Sequence, residues 1–228
     1  KPVFIQKDIL SKHKSFRELG QNHPAVKSMG NRLLPQSRYN DIYLVHKFFS
    51  WTNELIPNKF KDLTNDHPRM VIPFRDADGK VFAYQGRAFG EEQPKYITIV
   101  LDKTKKKIFG LDRVDNNRSI LICEGPIDSF FLPNCLAVAQ GDLRLPQYKE
   151  KSTLVFDNEP RNREIVKNIE KAIEEHYSVV IWPHDIKEKD INDMIISGLT
   201  NVEISDIIHR NTFSGLQAKT QLSHWKKV

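Results

Sequence analysis

Alternating apolar and polar positions predict a β-hairpin in the first half of the chain. Residues 70–74 form an apolar run and residues 81–85 alternate as a half-buried strand does, with a turn signal at residues 76–79 between them. Before them, residues 1–63 mix helix-like segments with breakers such as Pro24 and Pro57. The aromatic cluster at residues 48–51 could stack on bases, but an apolar helix face is the favoured interpretation.

From residue 119 onward, short apolar runs alternate with helix-like segments. Strands are predicted at residues 120–123, 136–139, 154–156 and 179–182. Helices are predicted at residues 127–132 and 164–176, and in the second of these Ile165, Ile169 and Ile173 recur on one face. Such alternation predicts an α/β fold with right-handed crossovers and a parallel sheet of about four strands. The tail, residues 201–228, is expected to be helical.

Carboxylates follow three of these apolar runs. Glu124 follows the first, Asp157 and Glu159 follow the third, and Asp190 and Asp193 follow the last. The carboxyl ends of the strands are where open α/β sheets bind ligands, so we expect the three groups to share one crevice and to hold a divalent metal. Asp157 and Glu159 could face one ion if the chain stays extended between them.

Mg²⁺, with Mn²⁺ as the alternative, fits such oxygen ligands and supports phosphoryl displacement. Glu124 would be a further ligand or the general acid–base. Taken alone, residues 157–160 are better explained as a solvated helix entry, because Asp and Asn favour N-caps and Pro160 suits a first turn. Three acidic stretches in one βαβ frame favour the metal.

The charge of the chain is unevenly distributed. The formal net charge is +6, with a pI near 9.2. Residues 1–115 carry 21 Lys and Arg against 13 Asp and Glu, whereas residues 116–228 carry 14 against 16. The basic half suggests a polyanionic partner, and Arg87, Lys95 and Lys107 could form a phosphate-binding floor. Ordinary surface charge remains the alternative for these three residues.

Several classes of protein are disfavoured. Cys123 and Cys135 lack zinc-ligand spacing and are expected to be reduced core residues. Without a leader or a run of roughly 20 apolar residues, the protein is expected to be soluble and cytoplasmic, with no membrane partner. No Gly-rich phosphate loop and no nucleophile elbow around Ser129 are present, which disfavours an ATPase motor and a hydrolase triad. The first residue is Lys1, so we expect a fragment.

The acidic motifs resemble those of a known domain. Glu124-Gly125-Pro126-Ile127-Asp128, Asp157-Asn158-Glu159 and Lys189-Asp190 with Asp193 are similar to the Toprim domain of bacterial-type primases, type IA and II topoisomerases and some nucleases. The basic subdomain that precedes Toprim in bacterial-type DNA primases resembles residues 69–76, 85–87, 94–96 and 108–111. The resemblance is to the T-even-type bacteriophage primases in particular, and it extends to residues 215–219.

This resemblance implies a fold and a set of roles. It implies a basic mixed α+β subdomain at residues 1–117, a Toprim domain with a four-stranded parallel sheet at 118–200 and a helical tail at 201–228. The implied catalytic residues are Glu124, Asp157, Glu159 and Asp190, and the implied metal ligands are these four with Asp193. Asp128 and Lys189 would support the site. Nucleotide and template would contact Arg69, Arg87, Lys95, Tyr96 and Lys107.

The implied activity is that of a primase RNA polymerase core in a primosome. It would make short RNA primers on single-stranded DNA from ribonucleoside triphosphates, beside a replicative hexameric helicase. Two features depart from the family: Glu159 stands where an Asp is usual, followed by Pro160-Arg161 instead of small residues, and no cysteine cluster for a zinc ribbon exists. Zinc is therefore expected only in a domain absent from this chain.

Three rival functions stay open. A Toprim nuclease would use the same carboxylates to cut nucleic acid, and a non-catalytic module would only bind DNA or a helicase. A topoisomerase fragment is the third, although no candidate tyrosine nucleophile in a second domain supports it.

Overall fold

Two β-sheets, one in each half of the chain, organise the protein. The structure is a computed structural model that describes residues 8–139 and 141–228. The chain divides into two units, Lys1–Lys107 and Ile108–Val228. The boundary predicted after residue 117 falls inside the second unit, because the strand Ile108–Phe109 pairs with a strand of the second sheet. The described residues include no helix that is both long and apolar enough to span a bilayer.

The first unit contains an antiparallel sheet of four strands in the order β1-β2-β3-β4. The strands are β1 (Tyr43–Val45), β2 (Arg69–Arg75), β3 (Val81–Ala88) and β4 (Tyr96–Val100). The helices are α1 (Phe16–Leu19), α2 (Pro24–Ser28) and α3 (Phe48–Leu55), with 3₁₀ turns at Gly30–Arg32 and Gln36–Asp41. The predicted hairpin is confirmed: β2 and β3 pair antiparallel, and Gly79, at φ +78°, occupies the turn between them.

The aromatic cluster belongs to the core of this unit. Phe48 and Trp51 of α3 are buried against the sheet, and the rings of Trp51 and Tyr84 lie 4.6 Å apart. Gly86 of β3 makes room for this packing, because a Cβ there would lie 2.3 Å from Phe48 Cε2. The start of α3 is capped from a distance by the buried Asp66, which accepts hydrogen bonds from the backbone of residues 49 and 50. The predicted apolar helix face is thus confirmed.

The second unit contains a six-stranded sheet in the order β10-β9-β8-β6-β7-β5. The strands are β5 (Ile108–Phe109), β6 (Ile120–Cys123), β7 (Cys135–Val138), β8 (Ser152–Val155), β9 (Ser178–Val180) and β10 (Thr212–Phe213). The helices are α4 (Pro126–Ser129), α5 (Arg163–Glu174), α6 (Ile191–Ile196), α7 (Asn201–Arg210) and α8 (Gly215–Trp225), with a 3₁₀ segment at Pro146–Lys151. The α/β fold class is confirmed.

The four central strands of this sheet run parallel, and β5 and β10 add short antiparallel edges. Helix α5 buries Ile165, Ile169 and Ile173, as its 3.6-residue periodicity predicts. The tail is not wholly helical: β10 separates α7 from α8, because Thr212 and Phe213 pair with β9. This arrangement leaves the carboxyl ends of β6 and β8 side by side.

Candidate active site

Glu124 and Asp157 lie together just beyond two neighbouring parallel strands. The register pairs Cys123 with Val155, so the chain segments that follow β6 and β8 leave the sheet side by side. The backbone N–H of Asp157 donates to Glu124 Oε1 at 3.1 Å. Buried Trp182 supports the same edge, since its indole N–H donates to the carbonyl of Phe156 at 2.8 Å. The expected meeting of the first two acidic stretches is therefore present.

Asp128 reaches the same edge from α4. Gly125 and Pro126 turn the chain after β6, and the carboxylate of Asp128 folds back over Gly125. A Cβ on Gly125 would lie 2.6 Å from Asp128 Oδ2, so only glycine permits this approach. The other oxygen, Oδ1, accepts a hydrogen bond of 3.0 Å from the backbone N–H of Asn192. Asp128 thus links the turn after β6 to the start of α6.

Asp190 is the N-cap of α6. Its Oδ1 accepts a hydrogen bond of 2.8 Å from the backbone N–H of Asp193, which is the usual role of an aspartate at a helix start. The hydrogen bond between Asp128 and Asn192 joins α4 to α6, and the negative charge of Asp190 helps to raise the pKa of Asp128. The third acidic stretch therefore contributes Asp190 to the same cluster.

The protonation of these groups is strongly perturbed. Burial raises the pKa of Asp157 to about 8, and the carboxylates of Glu124, Asp128 and Asp190 act in the same direction. Burial and the charge of Asp190 raise the pKa of Asp128 to about 7. Burial also raises the pKa of Glu124, although the N–H of Asp157 opposes the shift. The carboxyl groups of Asp157 and Asp128 are therefore at least partly protonated near pH 7 unless a positive charge enters the cluster.

The donor chemistry of this cluster fits a hard divalent cation. Carboxylate oxygens are the ligands that Mg²⁺ and Mn²⁺ prefer, and Mg²⁺ is usually held by one or two carboxylates while it keeps several waters. Within residues 8–139 and 141–228 no three His, Cys, Asp or Glu side chains converge as a preformed metal site. The bond from the backbone N–H of Asp157 to Glu124 brings these two residues to one edge of the sheet, and their roles as metal ligands stay predictions.

Glu159 pairs with a lysine because the chain turns after Asp157. The N–H of Glu159 donates to the carbonyl of Asp157 at 2.9 Å, so the chain is turned here. An extended chain was the condition under which Asp157 and Glu159 could face one ion, and that condition is not met. Instead, Glu159 Oε1 forms an ion pair of 3.4 Å with Lys189 Nζ, and Oε2 accepts from Asn162 Nδ2 at 3.4 Å. Burial alone would lower the pKa of Lys189. The negative charges of Glu159 and Asp157 outweigh burial and raise that pKa. A metal-binding role for Glu159 stays a prediction.

Asn158 is a structural residue that the sequence analysis did not identify. Its Nδ2 donates to the carbonyls of Ile186 and Glu188 at 3.1 and 3.0 Å, and its backbone N–H donates to the carbonyl of Lys189 at 2.6 Å. Its Oδ1 accepts from Trp225 Nε1 at 3.1 Å. Asn158 thus fixes the loop that leads to Asp190. The only signal in the sequence was a neutral amide between two carboxylates.

Comparison with known proteins relates the chain to one family of enzymes. The chain is 34% identical over 216 residues, 92% of its length, to a DNA primase of Enterobacteria phage T4. This chain is related to the DNA primases. The predicted resemblance to the DNA primases is therefore confirmed. The chain spans 63% of the length of that primase, and no protein-family profile matches it.

Solved primase structures share the fold. The zinc-binding and RNA polymerase domains of the Aquifex aeolicus primase align over 86% of this chain and 57% of that one, with a TM-score of 0.61 at 20% identity. The RNA polymerase domain of the Mycobacterium tuberculosis primase was solved with a double-stranded DNA oligomer that has a 6-nucleotide overhang. It aligns over 86% of this chain and 76% of its own, with a TM-score of 0.61 at 16% identity. At these identities the likeness establishes the fold.

Two arginines that the primase resemblance assigns to phosphate binding are buried within the first unit. Arg69 is 2% exposed and donates from Nη1 to the carbonyls of Pro94 and Lys95 at 3.0 and 3.3 Å. Arg87 is 5% exposed, with Nε donating to Tyr96 Oη and Nη1 to the carbonyl of Ala88, both at 3.1 Å. Both arginines thus brace the segment between β3 and β4.

The other two basic residues of this predicted phosphate floor are more accessible. Lys95 is exposed, and Lys107 is half-buried. Direct phosphate contacts by Arg69 and Arg87 would require them to leave the partners described above, whereas Lys95 needs no such change. The nucleotide- and template-binding roles of all five residues, including Tyr96, stay predictions.

Proposed function

We propose that this chain is the RNA polymerase core of a DNA primase, which joins ribonucleoside triphosphates into short primers on a single-stranded DNA template. One observation carries the proposal. In a chain 34% identical to the phage T4 primase, the charges of Glu124, Asp128 and Asp190 raise the pKa of Asp157 at one edge of a parallel sheet. The presence of DNA in the related M. tuberculosis domain supports nucleic acid as the partner.

The reaction needs a proton acceptor and a charged pocket for phosphate. The 3′ oxygen of the growing primer would form a bond to the α-phosphorus of the incoming nucleotide, while the bond from that phosphorus to the oxygen bridging to the β-phosphate breaks and pyrophosphate leaves. Glu124 is the proposed acceptor of the hydroxyl proton. Its Oε1 is held by the N–H of Asp157, which leaves Oε2 to take that proton.

Mg²⁺, with Mn²⁺ as the alternative, would be held by Glu124, Asp157 and Asp190, with Glu159 and Asp193 as further candidate ligands. When bound, the ion would neutralise negative charge on the phosphates and on the carboxylate cluster. Lys189 and Asp128 would keep these carboxylates in place: Lys189 pairs with Glu159, and Asp128 ties α4 to the start of α6.

The basic half of the chain would bind the template and the nucleotides. We infer a basic subdomain at residues 1–117 that uses Arg69, Arg87, Lys95, Tyr96 and Lys107, followed by a Toprim domain at 118–200 and its tail. The excess of Lys and Arg before residue 115 supports this division. A hexameric helicase would be the partner at the fork, zinc would belong to a separate domain, and the host cytoplasm would supply the substrates.

Primer synthesis by a matched pair of variants tests the proposal. Wild-type protein and the Asp206→Asn control, which alters an exposed residue of α7, should extend primers from labelled ribonucleotides on single-stranded DNA, whereas Asp157→Asn should not. Single-stranded DNA affinity should be the same in all three. If the Asp157→Asn variant made primers at the wild-type rate, Asp157 would have no part in the chemistry.

A second incubation separates the nuclease alternative. Labelled single-stranded DNA is incubated with the protein and Mg²⁺ but without nucleotides. Unchanged strand length supports a polymerase, and shortening that depends on Asp157 would replace the primase proposal with a nuclease. DNA binding with no synthesis under any condition would favour the non-catalytic module.

A further inference from the structure

An open groove lies beside Glu159, and its other lining residues have no part in the chemistry described above. It has a volume of about 600 Å³ and is lined by Glu159, Pro160, Arg161, Asn162 and Lys227. These residues come from the loop between β8 and α5 and from the segment that follows α8. The volume falls within the range of roughly 300–1,000 Å³ that is usual for small-molecule sites.

The segment after α8 is fixed to this loop by specific bonds. Trp225 Nε1 donates to Asn158 Oδ1 at 3.1 Å, and the backbone N–H of Lys227 donates to the carbonyl of Pro160 at 2.8 Å. Between them, Lys226 Nζ pairs with Glu170 of α5 at 2.8 Å. Lys227 is therefore held at the groove by its own backbone, although it lies beyond the last helix.

The groove carries positive charge that the protein does not neutralise. The exposed side chains of Arg161 and Lys227 make no hydrogen bond or ion pair with the residues that the structure describes, whereas Arg144 of the same unit is paired with two carboxylates. The one acidic group in the groove, Glu159, is already paired with Lys189. The first N–H groups of the 12-residue helix α5 are capped by Asn162, and Glu164 lies in its first turn, so the positive charge of the groove comes from Arg161 and Lys227.

We propose that this groove binds the polyphosphate of the incoming nucleoside triphosphate, with Arg161 and Lys227 contacting the β- and γ-phosphates. The proposal rests on the proposed primase function. Guanidinium groups bind phosphate oxygens in a bidentate manner, and ammonium groups act as compact point charges. Two cations in one short groove suit a compact anion, whereas the backbone of a nucleic acid strand requires a row of cations.

Nucleotide kinetics of charge-removing variants test this assignment. Arg161→Gln and Lys227→Gln should each raise the KM for ribonucleoside triphosphates about tenfold, as expected for loss of a charge-assisted hydrogen bond, with kcat within about twofold of wild type. Arg161→Lys, which keeps the charge, should restore part of the affinity. The matched control is Arg163→Gln, since Arg163 is exposed in the first turn of α5 but does not line the groove.

A direct binding measurement keeps the proposal testable even if the chain makes no primers. Inorganic tripolyphosphate, titrated calorimetrically into the protein, should bind the wild type and the Arg163→Gln control at least tenfold more tightly than the double variant Arg161→Gln/Lys227→Gln. Single-stranded DNA should bind all of them equally. Thermal unfolding would verify that the double variant is folded, which we expect because both altered side chains are exposed.

Distinct outcomes separate the two proposals. If the wild type makes primers but the KM and tripolyphosphate affinity of the double variant are unchanged, the groove assignment is wrong and the primase proposal stands. If the wild type makes no primers and tripolyphosphate binding still requires Arg161 and Lys227, the groove is a polyphosphate site and the primase proposal is the one that fails. Weaker DNA binding with unchanged tripolyphosphate binding would identify a nucleic-acid groove and overturn the proposal.

Discussion

Replacing Asp157 with Asn should stabilise the metal-free protein at neutral pH while it removes the proposed activity. The substitution keeps the size of the side chain and leaves the backbone N–H that donates to Glu124 in place. It removes a carboxyl group that burial and three neighbouring carboxylates disfavour in its charged form. Activity and stability should therefore change in opposite directions.

The sign and size of the effect follow from the pKa of Asp157. This pKa is about 8 in the fold and near 4 in an unfolded chain. Between these values the folded protein binds the proton and the unfolded chain does not, so stability falls as pH rises from about 4 to about 8. Below that window both states are protonated and no cost exists.

At pH 7, about three pH units above the pKa of the unfolded chain, keeping this proton costs the folded state at most about 4 kcal/mol, at 1.36 kcal/mol per unit. Solvent that reaches the half-buried carboxyl group lowers this limit, and its charged neighbours share the effect. We therefore expect Asp157→Asn to gain about 1–3 kcal/mol at pH 7.5 and much less at pH 4.5.

Urea unfolding in the presence of a chelator measures this difference. Wild type, Asp157→Asn and the exposed control Asp206→Asn are compared at pH 4.5 and pH 7.5. Added Mg²⁺ should then stabilise the wild type more than Asp157→Asn, because a ligand that binds the folded state more tightly stabilises it more. An equal gain at both pH values, or no gain at pH 7.5, would show that Asp157 carries no unfavourable charge in the fold.

Two further substitutions test the supports of the site. Gly125→Ala should destabilise the protein by about 1–3 kcal/mol and reduce primer synthesis, because the new Cβ would displace the carboxylate of Asp128. An unchanged thermal midpoint and an unchanged rate of synthesis would contradict this packing. Trp225→Phe should lower the free energy of unfolding by about 1 kcal/mol, because Asn158 loses a hydrogen-bond donor. It should also speed hydrogen exchange in residues 184–189. Unaltered exchange would show that α8 does not hold that loop.

Much of the second unit could be predicted because its signals are local. The runs that became β6 and β8 are apolar, and each is followed by a carboxylate within two residues, so parallel pairing alone brings Glu124 next to Asp157. The amphipathic period of α5 was equally plain. Beyond these local patterns, the prediction needed only the rule that neighbouring strands joined by a helix run in the same direction.

Other features depend on contacts that are distant in sequence. Strands β5 and β10 have two residues each, too few for any pattern, and they exist because the edges of the sheet accept them. The partners of Asn158 lie 28, 30 and 67 residues away. Arg69 shows the same limit, because the sequence identifies its charge but not the carbonyl groups that bury it.

The hydrogen bonds described here that fix the sheet edge at Glu124 and Asp157 do not involve the ionisable oxygens of Asp157. Trp182 binds the carbonyl of Phe156, and Asn158 binds the loop before Asp190 through neutral amide and carbonyl groups. These bonds persist whether the cluster is protonated or charged. The same backbone can therefore hold the carboxylates in their protonated state and present them to a cation. For this reason, loss of synthesis in Asp157→Asn with gained stability would report on chemistry and not on misfolding.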